Sequence, residues 1–89
     1  MKNVRESAVK STTHRKIMFF FAENLGSVDT PRGISAWTNG NIKGVRTALE
    51  DLVKDGLLRA HRTSSTVAFS CGLPAHILSA LHKRLKKKP

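Results

Sequence analysis

Asn41, Lys43, Arg46 and Thr47 lie close together in the stretch Asn41-Ile42-Lys43-Gly44-Val45-Arg46-Thr47. Their groups suit one kind of chemistry. A guanidinium fork can hold both acceptors of a guanine edge, and a carboxamide can pair with adenine. A flexible ammonium such as Lys43 is better suited to phosphate. Gly44 has no side chain and would let the backbone come close to a ligand. Opposite these groups, Ile42, Val45, Ala48, Leu49, Leu52 and Val53 recur at helical spacing. A helix buried on one side and reading DNA on the other needs this division. Glu50, Asp51 and Asp55 occupy its second half, so DNA is expected to approach the N-terminal half alone.

The neighbouring elements must position this helix. Asn41 can cap it, Gly56 can end it, and Asn39-Gly40 marks the turn before it. Upstream, Thr30-Pro31 is a strong helix start, and the helix over about 31–38 presents Ile34 and Trp37 to the core. Gly33 within it lowers helix propensity by ~1 kcal/mol relative to alanine. Ser11, Thr12 and Thr13 offer caps for an earlier helix reaching about Asn24. Its core face is Ile17, Phe20, Phe21 and Leu25, with Met18 and Phe19 at the flanks. Phe19, Phe20 and Phe21 cannot share one helical face, so Phe19 is expected to meet another element or a partner chain. Ser27-Val28-Asp29 reads as a bridging strand with Val28 inward. Downstream, 58–62 and 66–70 alternate with period two around a Thr63-Ser64-Ser65 tip, which reads as a hairpin. Pro74 opens a last helix with an apolar stripe of Ile77, Leu78, Leu81 and Leu85.

The charge sits mostly at the ends. Of the net +10, residues 1–16 carry five basic groups and one acid, and residues 83–89 carry five basic groups and no acid. The body between them holds six basic and five acidic groups. Basic ends suit a polyanion, because each neutralised phosphate releases a counterion. The chain has room for one domain. It has no run near the roughly 20 apolar residues that span a bilayer and no secretory h-region, so a cytoplasmic, nucleoid-associated protein is expected. The single cysteine, Cys71, reads as a small core residue in a reducing compartment, with an intermolecular disulfide as the alternative.

The order helix, strand, helix, helix, hairpin resembles the winged-helix variety of helix-turn-helix DNA-binding domains. The resemblance is carried by Ile17 to Val28, by Thr30-Pro31-Arg32-Gly33-Ile34-Ser35, and by the Val45-x-x-Ala48-Leu49-x-x-Leu52 run that ends in Gly56-Leu57. It implies an α+β, mainly α fold with a winged domain over 13–72. A basic flexible arm would precede it over 1–12, and an amphipathic helix with a basic tail would follow over 73–89. It also implies a transcriptional regulator that binds double-stranded DNA. Helix 41–55 would lie in the major groove, with Asn41, Lys43, Gly44, Arg46 and Thr47 exposed, and hairpin 58–70 would be the wing. Arg59, His61, Arg62, Ser64 and Ser65 would serve the wing, Arg32 and Ser35 the backbone contacts, and Lys83 and Arg84 a non-specific anchor. A homodimer through Phe19, Ile77, Leu78, Leu81 and Leu85 is expected.

Catalysis is not expected. His14, His61, His76 and His82 lack zinc-site spacing, Cys71 with His76 gives too few ligands, and there is no glycine-rich phosphate loop. Neither metal, cofactor nor small-molecule ligand is implied, and no membrane. Two other uses stay open: a nucleic-acid-binding architectural or replication accessory protein with little sequence choice, and a winged-helix protein-interaction module.

Overall fold

The computed structural model describes residues 4–86, and Lys87 and Lys88 of the basic tail lie outside them. The described chain is an α+β assembly in the order α1 (Val4–Ala8), α2 (Thr12–Glu23), β1 (Val28–Asp29), α3 (Pro31–Thr38), α4 (Ile42–Lys54), β2 (Leu58–Arg62), β3 (Val67–Cys71) and α5 (Ala75–Lys86). The strands form one antiparallel sheet ordered β1-β3-β2. No described helix is long and apolar enough to cross a membrane.

Helix ends form where the capping residues stand. Ser11, Thr30 and Asn41 cap α2, α3 and α4, each side-chain oxygen accepting a backbone N–H three residues on. Helix α4 closes in a Schellman arrangement. Leu57 N–H donates to Leu52 O, Gly56 N–H donates to Val53 O, and Gly56 takes a φ of 86° that favours glycine. Buried Leu52 and Leu57 add the apolar contact that accompanies this stop. Asn39 takes the left-handed position at the end of α3, and the Ser35 hydroxyl donates across the turn to Gly40 O.

The core joins Ile17, Met18 and Phe21 of α2 to Ile34, to Val45, Leu49 and Leu52 of α4, and to Phe69. Met18, expected at the flank, is fully buried. Four other apolar placements differ from expectation. Leu25, Val28, Trp37 and Ile42 are 61%, 59%, 69% and 40% exposed. Leu25 lies past the last turn of α2. Val28 pairs with Ser70, on the sheet face turned away from the core. Trp37 rests on the outside of α2.

The expectation of a flexible arm over 1–12 is corrected for the described part. Ser7 and Ala8 are fully buried. The Ser7 hydroxyl donates to Asp55 Oδ2 at 2.9 Å, and Lys10 Nζ reaches Asp51 Oδ2 at 2.7 Å. The dimer surface assigned to α5 is corrected too. Leu78 and Leu81 are buried in the chain's own core, Leu85 is half-buried against it, and Phe19 stacks on His82 at 5.1 Å between ring centroids. Of those five residues only Ile77 counts among the exposed large apolar side chains, at 36%.

Candidate nucleic-acid interface

Helix α4 presents two different surfaces. Val45, Ala48, Leu49 and Leu52 are buried, whereas Asn41, Lys43, Gly44, Arg46, Thr47 and Glu50 are exposed. Lys43, Arg46, Thr47 and Glu50 fall at i, i+3, i+4 and i+7 and share one stripe. Among the described residues, the side chains of Lys43 and Arg46 have no ion pair or hydrogen bond. Thr47 donates its hydroxyl to Lys43 O at 3.0 Å.

An open cleft of about 530 Å³ lies beside the front of α4. Three arginines from three elements converge on it: Arg32 in the first turn of α3, Arg46 of α4 and Arg62 at the end of β2. Thr30, Thr63, Ser65 and Thr66 add hydroxyls to the same lining. The hairpin tip is ordered by Thr63, whose Oγ1 accepts Thr66 N–H at 3.1 Å while Thr63 N–H donates to Thr66 O at 2.9 Å. Three guanidinium groups and several hydroxyls around one concavity are chemically suited to phosphate oxygens.

Of the residues expected to contact DNA, the cleft gathers Arg32, Arg46, Arg62 and Ser65. Lys43, Gly44 and Thr47 lie on α4 outside its lining. The Asn41 carboxamide oxygen uses one of its two lone pairs in the cap, accepting Gly44 N–H at 3.0 Å, and its NH2 group has no partner among the described residues. Ser35 is half-buried and spans the turn to Gly40, so its expected phosphate contact is corrected to a structural one. Ser64 is exposed at the tip, and Lys83 and Arg84 are exposed on α5; none of the three lines the cleft.

The basic hairpin residues divide between two faces. Register places Arg62 opposite Val67 on the face carrying Leu58, Ala60 and Phe69. Arg59 pairs with Ser70 and His61 with Ala68, on the outer face. Arg59 lies against Gly72, where a Cβ would come 3.0 Å from its Nε. The expectation that Arg59 serves the same surface as Arg62 is therefore corrected. Period-two alternation from Leu58 already contained this separation. Arg62 is also held, with Nη2 3.1 Å from Glu50 Oε1 in an exposed pair.

The other acids of α4 are turned away and compensated. Asp51 Oδ2 receives Lys10 Nζ at 2.7 Å and lies 2.8 Å from His14 Nε2, while Asp55 Oδ2 receives Lys10 Nζ at 3.0 Å. The Lys10 hydrogen bond first, and then that of His14, hold the Asp51 carboxyl at about 2, below the usual carboxylate range. Partial burial opposes this. Asp51 and Asp55 therefore serve to dock α1 and α2 rather than to repel phosphate from the front. Gly33 also has a structural reason, since a Cβ there would collide with the Asp29 carboxylate that accepts Thr30 N–H. Cys71 is half-buried, its thiol pushed up by burial and donating to Leu57 O at 3.6 Å. Comparison with known proteins found no matching family model, no matching curated protein and no matching solved structure.

Proposed function

We propose that the chain is a winged helix-turn-helix protein that binds double-stranded DNA with sequence preference and regulates transcription. The observation that carries this is the convergence of Arg32, Arg46 and Arg62 on one open cleft at the front of α4. The element order and the β1-β3-β2 sheet support it, with α4 as the recognition helix and the β2–β3 hairpin as the wing.

In this arrangement the exposed front of α4 enters the major groove. Arg46 supplies the fork that discriminates guanine, and Lys43 and Arg32 hold phosphates on either side. The hydroxyls of Thr63 and Ser65 fix the backbone without reading sequence. Glu50 keeps Arg62 beside the groove until a phosphate competes for it. The basic ends, which include Lys83 and Arg84, add attraction that carries no sequence information.

Selection from a library of random duplexes, followed by titration of the enriched duplex across salt, tests this. Each neutralised phosphate should add about −0.9 to the slope of log K against log salt. Binding should survive excess unrelated duplex. Equal affinity for every duplex would mean an architectural role instead, and no binding at low salt would exclude both.

A further inference from the structure

Trp37 is the most exposed large apolar side chain among the described residues. Its ring lies 5.7 Å from that of Phe20, centroid to centroid, tilted by 46°. Beside it is a hollow of about 150 Å³ lined by Lys16, Phe20, Glu23 and Asn24 of α2 and its C-cap, and by Trp37 and Thr38 of α3. The DNA proposal does not use this surface.

We propose that the hollow and Trp37 form a self-association surface whose occupant is a second copy of this chain. A two-fold interface must be complementary to itself. Here a projecting indole and a recess stand side by side, so that each Trp37 can enter the other copy's hollow. The charges have the same property. Lys16 and Glu23 lie seven residues apart on one stripe of α2, about 10.5 Å along the axis, with Phe20 between them. Reversing one α2 against its copy sets each Lys16 opposite a Glu23. An aromatic centre with a charged rim is the usual composition of such contacts.

Glu23 Oε2 lies 3.5 Å from His82 Nε2 in its own chain, which leaves Oε1 for the opposing lysine. The balanced charge disfavours DNA as the occupant, and the arginine cleft is built from other residues. The α5 leucines cannot supply the interface, because the core already covers Leu78 and Leu81. This surface stands independently of the DNA proposal.

Sedimentation of the full chain without DNA, from about 1 μM to about 1 mM, spans weak to firm association. The expected result is a rise from one chain mass to two. Trp37→Ala should weaken association at least about tenfold and leave the far-ultraviolet spectrum and melting unchanged, because the side chain is exposed. Lys16→Glu and Glu23→Lys should each weaken it several-fold, and the double charge reversal should restore it. A single chain mass up to the highest concentration would overturn the proposal, as would wild-type association by Trp37→Ala. A duplex-induced shift of Trp37 fluorescence in a chain that stays monomeric would also overturn it, by giving the surface to DNA.

Discussion

In the first two turns of α4, Lys43, Gly44, Arg46 and Thr47 face outward. In the last two turns, Asp51 and Asp55 are held by Ser7, Lys10 and His14, and a Schellman stop anchors the end. The back half of the helix ties α1, α2 and the strand entry together. On its outward side the front half carries little structural duty beyond its cap, while Val45 and Ala48 on its inner side pack the core. Gly44 makes the contrast plain. A Cβ at Gly44 would meet only the Asn41 oxygen, at an ordinary 3.8 Å, so packing within the chain does not require glycine there. Under the DNA proposal, close approach of the duplex backbone is the reason for glycine. Folding explains the residue types at the back, and binding is what the front is proposed to serve.

The largest expected effect lies on the buried side. Leu49 is fully buried, and Leu49→Ala should cost about 2–5 kcal/mol of stability, read by denaturant unfolding. Among folded molecules of that variant, preference among duplexes should be unchanged. Arg46→Ala should do the reverse. It should lose ~1–3 kcal/mol of specific affinity and relax preference at one base pair, with an unchanged melting temperature. A fall in stability would place Arg46 among the structural residues and break the contrast.

Asp51→Asn should cost about 1 kcal/mol of stability, as for a partly exposed pair, and leave DNA affinity alone. Because the folded carboxyl titrates lower than the unfolded one, its contribution is present above about pH 4. It is lost as the pH falls through about 2. Acid unfolding of Asp51→Asn should therefore be flatter than that of the wild type across that interval. The smallest change separates the halves most finely. Gly44→Ala should raise stability by up to about 1 kcal/mol while weakening duplex binding. A gain in both would remove the reason given for glycine.

Local signals in the sequence were enough for the caps at Thr30 and Asn41, the stop at Gly56 and the parity of the hairpin, and narrowed the cap of α2 to Ser11, Thr12 or Thr13, because each depends on neighbours within a few residues. The exposed front of α4 followed from the same helical spacing. Long-range chemistry was hidden. Lys10 and His14 meet Asp51 across 41 and 37 positions, and no local pattern marks that meeting. Trp37 misled because its spacing from Ile34 fits a buried stripe, yet Ile34 is fully buried while Trp37, lying against Phe20 of α2, is 69% exposed. The Asp29 carboxylate that needs the space over Gly33 was likewise invisible without the fold. The split of Arg59 from Arg62 was present in the alternation and was obscured by treating the hairpin's basic groups as one set.

Backbone amide shifts followed by NMR during titration with the selected duplex test the division of α4 most directly. The largest changes should fall at Arg32, Gly44, Arg46, Thr47 and Ser65, with Asp51 to Asp55 nearly unmoved. Changes confined to the basic ends, or centred on the back half of α4, would contradict DNA binding through its front.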